Sequence, residues 1–119
     1  MKQNIFTLDN VVKIYVPGTI DESTPAPELQ KEWTNKTAAF LSSLFGGATF
    51  GQFVGSWINE AGEMIEEPQN VVYSFTDSET AAAKIDAVVD FARELCRAMN
   101  QMAISVEYNG RLGFVGQNE

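Results

Sequence analysis

The sequence predicts an α+β fold, one antiparallel sheet backed by two helices. Three observations carry that expectation. Two stretches, Leu29 to Leu44 and Ala81 to Met99, place apolar residues at helical spacing. Four others, near Val11–Val16, Thr49–Ile58, Val71–Phe75 and Ala103–Tyr108, are rich in β-branched and aromatic residues. Glycine-based turn signals then close two hairpins, at Asn59-Glu-Ala-Gly62 and at Asn109-Gly110.

Taken in order, residues 1–10 read as an arm or a short edge segment. Val11 to Val16 is nearly continuous in apolar character, which suits a central strand, and Pro17-Gly18 ends it. Asp21 to Pro27 holds two prolines and two acids and reads as an irregular loop. Pro27 fits the first position of a helix, with Glu28 favourable to its dipole. Leu29, Trp33, Phe40, Leu41 and Leu44 carry that helix to about Phe45, where Gly46-Gly47 stops it.

A long hairpin follows, from Ala48 to Thr76. Gly62 supplies the positive φ of its turn, and Pro68, lacking a backbone donor, belongs at a bulge or an unpaired edge. Gly51 and Gly55 share a face with Phe53 and Trp57. They imply close packing of a crossing element or, alternatively, a shallow groove walled by the two aromatics. Thr76-Asp-Ser-Glu79 matches a capping box with Thr76 as the cap. It opens a second helix over Ser78 to Asn100, whose stripe is Ala81, Ile85, Val88, Ala92, Leu95 and Met99, widened by Val89 and Cys96. The far side, with Arg93 and Arg97 among mixed charges, reads as solvated. Ile104, Val106 and Tyr108 alternate in the next strand, Arg111 to Val115 returns along it, and 116–119 form a tail.

The order is therefore βαββαβ plus a short C-terminal β-ribbon, in one domain spanning 1–119. Connection rules favour a four-stranded sheet in the order 4-1-3-2 with both helices on one face, the ferredoxin-like plan. Apolar residues at both parities, Phe50, Val54 and Ile58 against Phe53 and Trp57, imply that the second face is also covered. A homodimer is the expected cover, with the arm and the ribbon as alternatives.

At the hairpin, Gly55, Trp57, Gly62, Glu67 and Pro68 resemble the pattern of a family of small bacterial proteins of unknown function with a ferredoxin-like domain. The likeness covers most of the chain, implies that fold and brings no activity; that family is often secreted. Ala103 to Gly110 also resembles small proteins encoded on mobile elements.

Composition sets the exclusions. At 45% apolar and 20% charged, 119 residues can build a core without staples. No apolar run is long enough to span a bilayer, and Met1-Lys-Gln-Asn-Ile-Phe lacks a signal-peptide core, so a cytoplasmic protein is expected. A net charge of −8 without a Lys/Arg run argues against direct nucleic-acid binding and favours a protein partner with a basic surface. One cysteine excludes an internal disulfide, and Cys96 is expected in the core. With no histidine, the commonest general base and metal ligand is absent; neither a metal nor a cofactor is expected.

Two sets of residues remain as candidates. Glu60, Glu63, Glu66 and Glu67 cluster at the hairpin with no basic residue between Lys36 and Lys84. They read as a solubilising turn or as an acidic prong for a basic partner, with Glu67 also placed to pair with Arg111 or to bind a hydroxylated ligand. The other set, Phe53, Trp57, Tyr73 and Glu67, would line a small-molecule pocket. The preferred reading is a non-enzymatic interaction protein, such as an anti-defence inhibitor of a nucleic-acid-handling enzyme. A small-molecule binder or cofactor-free enzyme of the dimeric ferredoxin-like type is the alternative, and a structural dimer a third.

Overall fold

The structure, a computed structural model, describes residues 5–119. In chain order it contains β1 (Asn10–Pro17), β2 (Thr19–Ile20), β3 (Thr24–Pro25), α1 (Pro27–Phe45), β4 (Thr49–Ile58), β5 (Met64–Thr76), α2 (Ser78–Ala98), β6 (Ile104–Tyr108) and β7 (Arg111–Val115). Among the described residues, five strands form one antiparallel sheet in the order β4-β5-β1-β6-β7. The expected sheet had four strands, in the order 4-1-3-2; the observed sheet has five. The C-terminal ribbon does not stand apart; β7 pairs outside β6 as a fifth strand because the Asn109-Gly110 turn, with φ of 52° and 80°, matches the twist of the strands it joins. The loop after β1 is also more ordered than expected, since β2 and β3 pair within it.

β1 sits between β5 and β6, so its inward residues are sealed on both sides. Ile14 lies opposite Val72 and Val106, and Val12, Ile14 and Val16 are fully buried. They share one cluster with Leu41 of α1 and with Val88, Ala92, Leu95 and Cys96 of α2, which puts both helices on the same face of the sheet. Phe91 of α2 locks the helices together, stacking on Phe40 at 4.3 Å and meeting Trp33 edge-on at 5.8 Å. Cys96 is a core thiol, donating to the Gln101 carbonyl at 3.1 Å, and burial raises its pKa.

One helix boundary and one buried stripe differ from expectation. The cap of α2 is Asp77 rather than Thr76; its carboxylate accepts from the Thr80 amide at 2.7 Å, while Thr76 is buried as the last residue of β5. The fully buried stripe of α1 is Gln30, Thr34, Thr37 and Leu41, while Leu29, Trp33, Phe40 and Leu44 of the expected stripe pack against the core and stay partly exposed. The tail is likewise held, because Arg93 donates to the Gly116 carbonyl and Arg97 to that of Gln117. These arginines are therefore not simply solvated. At the other end, 5–9 form no regular structure and leave Ile5 and Phe6 exposed.

The face of the sheet away from the helices carries Val11, Lys13 and Tyr15, with Phe53 and Trp57 of β4, Tyr73 and Phe75 of β5, and Leu112 and Phe114 of β7. Several of these stay exposed, Phe114 at 70%. Among the described residues, no crossing element covers Gly51 and Gly55. The Phe53 ring lies 3.4 Å from where a Gly51 Cβ would stand, and the Gln69 side chain 3.1 Å from that of Gly55.

Candidate functional site

The candidate site grows from one end of β1. β1 pairs with β5 only as far as Pro17 and Gln69, so β5 from Met64 to Pro68 has β4 on one side and, among the described residues, no strand on the other. Pro68 lies in this one-sided stretch, opposite Val54. Its carbonyl accepts from the Gln30 amide, away from β4, and the missing N–H points the same way. Gly18 fits tightly beside it; a Cβ there would stand 2.5 Å from the Pro68 oxygen, so a side chain would force the two segments apart.

The loop after Gly18 then folds back over this gap. Asp21 and Glu22 both have left-handed backbones, at φ of 55° and 69°, a costly conformation for residues with side chains. They are held there by the α2–β6 connection. The Asp21 amide donates to the Met99 carbonyl at 3.1 Å, Asn100 donates to the Asp21 carboxylate, and the Met102 amide donates to Glu22. Gln101, itself buried, donates to the carbonyls of Thr19 and Met99.

Between this loop and the hairpin lies a cavity of about 210 Å³, lined by Tyr15 and Pro17 from β1, Trp57 from β4, Glu67 and Gln69 from β5, Glu22 from the loop, and Gln101, Ala103, Ile104 and Ser105. An adjoining hollow of about 190 Å³ continues past Trp57 and Glu67 to Thr19, Ser23 and Pro25. Glu67 is partly buried, its carboxylate accepting from Thr19 at 3.2 Å and from Gln69 at 3.5 Å. The Tyr15 hydroxyl donates to Glu107 at 3.1 Å; burial, then that hydrogen bond, pushes its pKa up and keeps it protonated at neutral pH. Two carboxylates and two aromatic rings face one space lined by no lysine or arginine. Such a space suits a cation, which the carboxylates attract and the ring faces receive.

The predicted residues divide. Trp57 and Glu67 line the cavity together, whereas Phe53 and Tyr73, on the same sheet face, lie outside it. Tyr73 sits further along β5, edge-on to Phe75 at 6.0 Å. The four glutamates do not form one prong. Glu60 and Glu63 belong to the turn, where Asn59 accepts from the amides of Ala61 and Glu63, while Glu66 and Glu67 point to opposite faces of β5. Arg111 begins β7, at the far edge of the sheet, so Glu67 has no contact with it. Among the described residues no group of three or more Cys, Asp or Glu side chains is arranged to hold a metal ion, and no helix is long and apolar enough to cross a membrane. Sequence reasoning missed Tyr15, Glu22, Gln69 and Gln101. The available signal was weak: two acids directly after a strand-ending Pro-Gly, and a glutamine just past a helix end.

No family model and no curated protein matches the sequence. Two solved structures share the fold. A phage SAM lyase in complex with S-methyl-5'-thioadenosine is 15% identical, with a TM-score of 0.66 over 98% of this chain and 95% of that one. The apo state of a phage SAM lyase is 14% identical, with a TM-score of 0.65 over the same shares. This overturns the expectation of a non-enzymatic interaction protein. Nearly the whole chain shares the fold of these phage lyases, and a cavity lies between the loop after β1 and the hairpin.

Proposed function

We propose that this protein is a lyase that cleaves S-adenosylmethionine and releases S-methyl-5'-thioadenosine, using the cavity of Glu67, Trp57 and Tyr15. The fold likeness suggests the reaction, but a fold does not carry an activity by itself. The observation that carries the reading is the pairing of the Glu67 carboxylate with the Trp57 ring in a space free of basic side chains. The substrate is a sulfonium and also bears an ammonium, so both of its cationic centres suit this lining.

The chemistry also explains why no histidine is needed. When the bond from sulfur to the amino-acid γ-carbon breaks, its electron pair goes to sulfur and the leaving group is a neutral thioether. No proton has to be delivered to it. The γ-carbon is satisfied either by the substrate's own carboxylate, closing a lactone with no net proton transfer, or by the pair of a β C–H bond. In the second case Glu67 is the group placed to accept the proton. In both, Glu67 and Trp57 fix the sulfonium and exclude water from it. We read the fold as the ferredoxin-like plan with β7 added; the central position of β1 and the two helices on one face support this.

The test is to incubate the purified protein with S-adenosylmethionine and follow S-methyl-5'-thioadenosine by chromatography. We expect Glu67→Gln to slow its release by ~10²-fold without lowering Tm, and Trp57→Ala to raise KM about tenfold. Absence of product after hours at micromolar protein overturns the proposal. The co-product, lactone or unsaturated amino acid, tells the two routes apart.

A further inference from the structure

The edge strand β7 directs Arg111, Gly113 and Val115 toward the helices, since they stand opposite Tyr108, Val106 and Ile104 of β6. At the middle of the three, where an inward side chain would close β7 onto α2, the chain has a glycine. A Cβ built on Gly113 would meet nothing nearer than the Val106 carbonyl oxygen, at 3.7 Å. The missing side chain leaves a groove of about 420 Å³ between α2 and β7, walled by Ile85 and Val89 and floored by Val106 and Val115. Past Val115 the chain is tied to α2, because Arg93 donates to the Gly116 carbonyl at 3.0 Å. The other end of the groove holds Arg111.

Arg111 is the one charged residue on this groove, and it is exposed. Among the described residues no carboxylate pairs with it, although the chain has 16 acidic residues to 8 basic ones. β7 is five residues long, and at about 3.3 Å per residue it runs roughly 13 Å from first to last, room for a medium-length acyl chain. The groove volume falls within the range of about 300–1,000 Å³ usual for small-molecule sites. An apolar trough with a single cation at one end matches an amphipathic anion. A second copy of this chain fits it less well, because two bodies of net charge −8 repel one another.

We propose that this groove binds a small amphipathic carboxylate, a medium-chain fatty acid, with its tail over Gly113 against Ile85 and Val89 and its carboxylate on Arg111. The tail covers apolar surface that the fold leaves half-buried at Ile85 and Val89. The planar guanidinium presents paired N–H donors, which a carboxylate accepts two at a time and a hydroxyl does not. The cavity of Glu22 and Glu67 repels the same anion, so the two sites take ligands of opposite charge. The groove site does not rest on the lyase reading.

Octanoate is the probe, with 1-octanol as its uncharged control, each titrated into the wild type and into Gly113→Val and Arg111→Gln variants while backbone amide shifts are followed by NMR. We expect octanoate to move the amides of β7 and of Ile85 to Val89. Gly113→Val, whose side chain fills the groove, should weaken octanoate about tenfold without lowering Tm. Arg111→Gln should weaken octanoate about tenfold and leave 1-octanol unchanged. Should Gly113→Val fail to fold, the exposed Arg111→Gln variant decides alone. No shift in β7 at millimolar octanoate, equal octanoate affinity in Arg111→Gln, or 1-octanol bound by the wild type as tightly as octanoate overturns the site. So does a groove already filled, either by Ile5 or Phe6 in nuclear Overhauser contact with Gly113 or by a second copy in a dimer that Gly113→Val dissociates.

Discussion

The two helices lie on the same sheet face and are built by opposite rules. α2 buries Ala81, Val88, Ala92, Leu95 and Cys96, and its first turn is closed by Asp77. α1 buries Gln30, Thr34 and Thr37 before it reaches its first buried apolar residue, Leu41, and has no side-chain cap. Apolar burial is strong and non-directional, so it fixes that α2 packs without dictating its placement to a fraction of an ångström. Buried amides and hydroxyls stabilise only when their partners are in place, so they fix a position rather than merely a contact. α1 is the helix whose first turns reach the segment carrying Glu67. The buried polar face of α1 reads as alignment, the buried apolar face of α2 as mass.

Three substitutions sharpen or break this comparison. Leu95→Ala, deep in the α2 core, should cost about 2–5 kcal/mol, a Tm loss of roughly 10 °C or more by calorimetry. On the proposed lyase reading, cleavage per folded molecule should be unchanged. Gln30→Leu should cost less, about 1–3 kcal/mol, by leaving the Val16 and Pro68 carbonyls without their side-chain donor. It should nevertheless slow release of S-methyl-5'-thioadenosine severalfold. A Gln30→Leu protein that is less stable yet fully active would show that the polar face of α1 has no tie to the site.

The smallest effect belongs to the cap of α2. Hydrogen bonds from the Thr80 amide and hydroxyl hold the Asp77 carboxyl below its ordinary value of 3.8. Its contribution is therefore complete above about pH 4 and is lost as pH falls through the lowered value. Asp77→Asn, which keeps an acceptor but does not titrate, should match the wild-type Tm at pH 7 and remove this part of the acid sensitivity. A wild type and Asp77→Asn variant with the same Tm profile from pH 2 to 7 would remove the cap from the account.

Much of the fold was legible because local rules agreed with it. Asn109-Gly110, Gly62 and Gly46 each stand at a positive φ where a turn or helix end requires one. β5 was harder to see. Its first half reads Glu66-Glu67-Pro68-Gln69, which breaks every strand pattern, and it is strand only because β4 pairs along it. The buried stripe of α1 was hidden for a related reason. Gln30, Thr34 and Thr37 follow helical spacing as faithfully as Leu29, Trp33 and Phe40, but only their partners in the sheet reveal which set turns inward. Of the site, Trp57 and Glu67 could be named because they share one hairpin. Tyr15, Glu22 and Gln101 come from distant segments, and only the strained loop after β1 brings them together.

The position of β1 has a consequence for how the chain acquires its shape. The strand that comes first is the one that needs partners from both later halves; the Val11 amide meets a side chain 98 residues away. The β4–β5 hairpin and α2 can form from neighbouring residues, while β1 must wait, its apolar side uncovered, until β5 and β6 exist to receive it. Closing so large a loop is entropically slow, which places assembly in the slower range for a domain of this size. The wall that holds Tyr15 therefore exists only once both later halves of the chain have paired with the first strand.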